Sequence, residues 1–190
     1  MEKDIVTIVS GLPRSGTSMM MRMLAAGGMP VVTDNIRAAD EDNPKGYYEF
    51  EKVKQIPHDK SWLVETKGKA IKMVSELLRH LPPDYNYKII FMRRKMEEIL
   101  ASQRQMLIRK GKPVDTIDDE KLKDLFSRHL EEIEAWLAQQ PNMAVIYVHY
   151  SEVLANPWEQ ATRISSFLAN QLDVDKMIGV VDQTLYRQRK

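Results

Sequence analysis

The sequence predicts an α/β protein, a mostly parallel central sheet with helices on both faces in three layers. Three observations carry this. Short β-branched or apolar runs alternate with amphipathic helical runs along the whole chain, the order of a parallel sheet with helical connections. The run Tyr87-Lys88-Ile89-Ile90-Phe91-Met92 is nearly continuously apolar, as strands covered on both faces are. The first apolar run, Ile5 to Val9, passes through a loop bounded by two glycines directly into a helical run, Met19 to Ala26.

That loop, Ser10-Gly11-Leu12-Pro13-Arg14-Ser15-Gly16-Thr17-Ser18, has the architecture of a phosphate cradle. Successive backbone N–H groups in such a loop converge on an anion, and the following helix N-terminus adds partial positive charge. The spacing Gly11-x-x-x-x-Gly16 is that of a P-loop and predicts a P-loop NTPase-like fold, with one departure. Thr17 stands where the P-loop has lysine, and the basic residue lies inside the loop at Arg14.

The other elements follow in order. Gly27-Gly28 ends the first helix, and Met29 to Thr33 predicts a short second strand containing Pro30. A long polar loop runs from Asp34 to Lys45 and into Gly46-Tyr47-Tyr48-Glu49-Phe50, with turns at Asn43-Pro44 and Lys45-Gly46. Glu51 to Glu65 reads as a poorly patterned helix interrupted at Pro57. Ala70 to Val74 reads as a strand, and Ser75 caps a helix to Leu81. After Tyr87–Met92 and Arg93-Arg94, helical spacing continues from Met96 to about Arg109. Asp118 to Gln140 is a long amphipathic helix with a stripe of Leu122, Leu125, Phe126, Leu130, Ile133 and Leu137. Met143 to Val148 is a further buried strand. A helix with Pro157 in its first turn runs to Leu168. Asp173 caps a last helix to about Val181, and the end, Leu185 to Lys190, is basic.

The 190 residues suffice for one domain. A 43% hydrophobic and 29% charged composition is that of a soluble globular protein, and a net charge of +1 excludes a strongly basic nucleic-acid binder. No run approaches a membrane span. The opening residues lead straight into the first strand and do not form a signal peptide, so the expected location is cytoplasmic. The absence of cysteine excludes disulfides, thiolate metal sites and cysteine nucleophiles. The long amphipathic helix suits a homodimer as well as a core.

Ligands of such sheets bind beyond the carboxyl ends of the strands. The glycine loop and Arg93-Arg94 both fall there, which makes two anion-binding elements on one edge. A magnesium-dependent ATP or GTP phosphotransferase needs the P-loop lysine and a strand-end aspartate for the metal. The chain offers neither: its strand runs end in arginines, in Ser75 and in His149-Tyr150. A sulfuryl group leaving from a phosphosulfate anhydride needs a cation and N–H donors on the leaving phosphate and a base for the acceptor, and has less need of a metal.

Leu12-Pro13-Arg14-Ser15-Gly16-Thr17-Ser18 resembles the 5′-phosphosulfate loop of the sulfotransferases that use 3′-phosphoadenylyl sulfate. A second motif of that family, a strand-end arginine with a serine eight positions on, is matched by Arg94 and Ser102. A third, structural, segment is similar to Tyr150 to Pro157 followed by Phe167-Leu168. The resemblance implies cofactor contacts by Pro13, Arg14, Ser15, Gly16, Thr17 and Ser18, with Arg14 at the leaving phosphate. It places Arg94 and Ser102 on the 3′-phosphate. The product would be adenosine 3′,5′-bisphosphate, with no metal required. The family's Arg-Lys-Gly segment has no clear match, and Arg187 in the basic tail is the candidate substitute. Asp34 at the end of the second strand and Glu49 in the long loop are the candidate bases. The acceptor is a small molecule or a glycan bearing a hydroxyl or amine. The alternatives are an ATP- or GTP-dependent phosphotransferase and a non-catalytic nucleotide-binding module.

Overall fold

The computed structural model of the chain describes residues 4–34, 36–41, 43, 45–113, 118–169, 171–182 and 184. Four parallel strands form one sheet: β1 (Ile5–Gly11), β2 (Ala70–Lys72), β3 (Asn86–Arg93) and β4 (Met143–His149), in the order β2-β1-β3-β4. Among the described residues six α-helices accompany them: α1 (Thr17–Ala26), α2 (Met96–Arg109), α3 (Asp119–Leu137), α4 (Tyr150–Ala155), α5 (Pro157–Phe167) and α6 (Val174–Gly179).

Side-chain alternation divides the strands between two cores, as a period of two requires. Val9, Ile90, Met92, Ile146 and Val148 face one side, against the methionines and Leu24 of α1 and the apolar faces of α4, α5 and α6. Val6, Ile8, Ile89, Phe91 and Met143 face the other, against Ile133 and Leu137 of α3, Trp62 and Leu63. Three layers result, with helices on both faces, as the alternating pattern predicts.

Three sequence expectations are corrected. Met29 to Thr33 is not a strand. It touches the sheet at one bridge, Val31 to Ala70, where Ala70 N–H donates to the Pro30 carbonyl and Val32 N–H to the Ala70 carbonyl. Glu51 to Glu65 forms two short 3-10 turns, Glu51–Gln55 and Ser61–Thr66, separated around Pro57. The Ser75 to Leu81 helix is also 3-10, at Ser75–His80.

The register places the site. Gly11 pairs with Met92, so the glycine loop after β1 and Arg93-Arg94 at the end of β3 leave the sheet side by side. The chain passes from β1 to β2 on one side and then to β3 on the other. The crevice between the ends of β1 and β3 is therefore the switch point at which such sheets bind ligands.

Candidate active site at the ends of β1 and β3

The loop from Gly11 to Gly16 is shaped by backbone that side chains rarely tolerate. Gly11 has φ 141° and Gly16 φ 99°. A Cβ on Gly11 would lie 2.5 Å from the Met92 carbonyl oxygen, and one on Gly16 would lie 2.5 Å from Tyr150 Cδ2. Arg14 also adopts a left-handed conformation, φ 71°, which turns the loop midway. Ser15 is buried within it, and its Oγ has no hydrogen-bond partner among the described residues, which carries a desolvation cost.

Arg14 Nε donates to Ser102 Oγ at 2.9 Å, although 88 residues separate them. Arg94 Nη1 donates to the Arg14 carbonyl at 3.1 Å, and Arg94 Nε to Glu98 Oε2 at 2.8 Å. Glu98 is 1% exposed and Arg94 9%, so this pair, one turn apart on α2 and its approach, is shielded from water. The Arg94 guanidinium also lies over the Tyr150 ring, 4.5 Å from its centroid. The structure thus brings Arg14, Arg94 and Ser102 together.

The long loop contributes a second group. Glu49 Oε1 accepts from Arg37 Nη1 at 2.9 Å and lies 3.4 Å from Lys72 Nζ at the end of β2. Lys72 Nζ also donates to the Tyr47 carbonyl, which accepts from Ser18 Oγ at 3.2 Å. Arg37 stacks on the Tyr47 ring, 3.3 Å from its centroid. Burial pushes the Lys72 pKa down, with Glu49 opposing and Arg37 and Arg14 reinforcing the shift. Burial and the hydrogen bond to Asp40 push Tyr47 up to about 12.

Asp34 lies elsewhere. Its Oδ2 accepts from Glu51 N–H at 2.6 Å and its Oδ1 from Ile36 N–H at 3.0 Å. These backbone donors, led by Glu51, hold its carboxyl below the usual aspartate range. Asp34 does not line the cavity described next, and it is engaged as a loop clamp.

One cavity of about 590 Å³ joins these groups. Arg14, Arg22, Arg37, Lys54, Lys72, Arg94, Arg109 and Lys110 line it, and Glu49 is the one carboxylate on its wall among the described residues. That balance suits a multiply charged anion. A neighbouring cavity of about 330 Å³ shares Arg37, Tyr47 and Glu49.

A family model described as "Sulfotransferase family" matches residues 40–174, more than half of the chain. The chain belongs to the sulfotransferase family. The matched span contains Arg94 and Ser102 and begins after the glycine loop. Solved sulfotransferases share the fold. One from Alicyclobacillus acidocaldarius superposes with a TM-score of 0.52 at 14% identity, over 89% of this chain and 81% of that one. One from Mycobacterium tuberculosis H37Rv gives 0.52 at 17% identity, over 97% and 70%. A retinol dehydratase in complex with androsterone and the inactive cofactor PAP gives 0.53 at 16% identity over 95% of this chain. This sulfotransferase-family chain spans 64% of that protein's length. No curated protein matches the sequence significantly.

Of the residues singled out in the sequence, Pro13, Arg14, Gly16, Thr17, Ser18, Glu49, Arg94 and Ser102 all line the main cavity. Arg187 lies outside the described residues. Lys72, Arg37 and Tyr47 join the site without having been read from the sequence. Lys72 left a trace, the single charge inside the apolar run Ala70 to Val74. No helix among the described residues is long and apolar enough to cross a membrane.

Proposed function

We propose that this chain transfers a sulfuryl group from 3′-phosphoadenylyl sulfate to a hydroxyl or amine of a small-molecule acceptor. The observation that carries the reading is the convergence of Arg14, Arg94 and Ser102 at the ends of β1 and β3. The cationic wall, with Glu49 its one carboxylate among the described residues, fits such a polyanion, whereas Ser15 does not line that cavity. When bound, 3′-phosphoadenylyl sulfate supplies an activated sulfuryl group and a phosphate leaving group.

The residues divide the work by position. Arg14 and the loop N–H groups hold the 5′ side and stabilise negative charge there. Arg94 and Ser102 hold the 3′-phosphate, with Arg94 oriented by Glu98. Glu49, between Arg37 and Lys72 on the cavity wall, takes the acceptor proton. Lys72 stands on the same wall and adds positive charge beside Arg14. Asp34, its carboxylate occupied by backbone donors, positions the loop that carries Glu49.

Titration with adenosine 3′,5′-bisphosphate and with Mg-ATP tests the binding half of this reading, and transfer of radiolabelled sulfuryl to a broad acceptor panel tests the chemistry. Binding of the bisphosphate together with labelled product is the expected result. Stabilisation by Mg-ATP alone would point to phosphotransfer, and bisphosphate binding with no transfer to any acceptor would leave a nucleotide-binding module.

A further inference from the structure

The smaller cavity, of about 330 Å³, opens within the long loop beside the main one. Arg37 and Lys45 are the cations on its wall and Glu49 its carboxylate among the described residues, while the short side chains of Ala38 and Ala39 fill little of it. Arg37, Tyr47 and Glu49 line both cavities, so the two meet at these side chains. The wall is held from several sides. The Glu49 carbonyl accepts from Thr33 Oγ1 at 3.0 Å and from Asp34 N–H at 3.2 Å. Tyr47 is buried with its ring against the Arg37 guanidinium, and its hydroxyl donates to Asp40 Oδ1 at 2.6 Å. Tyr48 has a left-handed backbone, φ 53°, as Arg14 has in the glycine loop. A bulky residue in that region is strained, and such strain collects at functional sites.

We infer that the smaller cavity is a carboxylate seat and that the acceptor is a hydroxy acid, its carboxylate on Arg37 and Lys45 and its hydroxyl at Glu49. Arg37 donates from Nη1 to Glu49 at 2.9 Å, which leaves its Nε–Nη2 edge without a partner among the described residues. Those two N–H groups are parallel and match the two oxygens of one carboxylate. Lys45 is exposed and makes no hydrogen bond or ion pair among the described residues. Asp182, held below the ordinary aspartate range first by Thr184, also feels its charge. Glu49 balances Arg37, so Lys45 gives the cavity a surplus positive charge. A neutral acceptor leaves that charge unanswered, whereas a carboxylate answers it and gains a forked hydrogen bond. Arg37 and Lys72 both pair with Glu49, which offsets the repulsion between Glu49 and a second carboxylate. The Arg37–Glu49 contact also puts the two seats within reach of one small molecule.

This acceptor class rests on the sulfuryl-transfer reading for the role of Glu49 and of the main cavity. Calorimetric titration of 4-hydroxyphenylacetate, and separately of its methyl ester, into protein saturated with adenosine 3′,5′-bisphosphate tests it. The acid is expected to bind about tenfold more tightly than the ester, which lacks the charge and one acceptor oxygen of the fork. Lys45→Met, which removes the surplus charge, and Arg37→Lys, which keeps charge and removes the fork, are each expected to weaken the acid about tenfold. Bisphosphate affinity in Lys45→Met should stay at the wild-type value. An acid that does not bind, an ester that binds as tightly, or unchanged acid affinity in both variants would overturn the acceptor class. Failure of the bisphosphate itself to bind counts against the sulfuryl-transfer reading instead. The acid titrated into unloaded protein then decides the carboxylate seat: binding weakened by either substitution upholds it, and no binding, or binding insensitive to both, overturns it.

Discussion

Arg14 Nε donates to Ser102 Oγ at 2.9 Å, which ties the loop after β1 to the first half of α2. Two elements far apart in sequence, both proposed to hold the nucleotide's phosphates, are therefore joined. Removing either partner weakens the same contact. Ser102→Ala is expected to lower affinity for adenosine 3′,5′-bisphosphate about tenfold, and Arg14→Ala about a hundredfold, as the loss of charge-assisted hydrogen bonds implies. The double variant should lose less than the product of the two, because both remove one shared interaction. Calorimetric titration of the four proteins measures the coupling; strictly multiplicative losses would contradict it.

The Arg94–Glu98 pair sets a second expectation. Glu98 is 1% exposed, so its loss takes the carboxylate away from a guanidinium that is itself only 9% exposed. Glu98→Ala should destabilise the fold by about 3 kcal/mol, read from urea unfolding. Glu98→Gln, which keeps the shape and a hydrogen-bond acceptor, should lose less. Equal losses in the two variants would show that shape and not pairing matters.

Asp34 and Glu49 separate by the kind of damage their loss causes. Asp34→Ala removes two acceptors of backbone N–H groups and should cost about 1 kcal/mol of stability. Its folded pKa lies below the ordinary 3.8, so the carboxylate's contribution is present above that pH and is lost as pH falls through the folded value. The difference between wild type and Asp34→Ala should therefore shrink in acid. Glu49→Gln should fold normally and fail in sulfuryl transfer. Full transfer activity in Glu49→Gln would remove it as the base.

Tyr47 gives a signature at alkaline pH. Its pKa rises from 10.0 to about 12 on folding. The folded protein keeps this proton where the unfolded chain has lost it, so the contribution is complete below pH 10 and disappears as pH rises through about 12. Tyr47→Phe should flatten the loss of stability across that window. Urea unfolding at several alkaline pH values, with phenolate absorbance as a parallel readout, compares the two proteins; identical slopes would contradict the assignment.

Gly16 and Gly28 provide a matched pair, with φ 99° and 96°. Alanine at Gly28 meets nothing within 4 Å and should cost only the left-handed strain, about 1 kcal/mol. Alanine at Gly16 must also displace the Tyr150 ring and should cost more, about 2 kcal/mol or above. Thermal unfolding midpoints rank the two.

Much of this fold is legible in the sequence where an element declares itself locally. β1 and β3 are apolar runs buried on both faces, β4 is an apolar run at the sheet edge with its buried residues interrupted by exposed ones, and α2 and α3 keep helical spacing for several turns. The failures occur where long-range hydrogen bonds decide. Met29 to Thr33 has strand-like composition, but its pairing is spent around Ala70 alone, and Pro30 has no N–H to extend it. Arg14, Arg94 and Ser102 are singled out by their resemblance to family motifs after β1 and β3, and the structure brings the three together. Lys72 is not, since its partners Tyr47 and Glu49 lie in a loop whose path nothing local prescribes. Asp34 misled for the same reason: its carboxylate answers the Glu51 N–H, a contact that only the folded loop creates.

The Tyr47 carbonyl, where Ser18 and Lys72 both donate, is a main-chain acceptor and so is present whatever residue occupies position 47. The long loop is thus moored to the start of α1 and the end of β2 by a fastening that mutation of its own side chains leaves in place. Its outward chemistry can drift over generations while that fastening stays in place, which under the proposed function is a route to new acceptors without rebuilding the end proposed for the nucleotide.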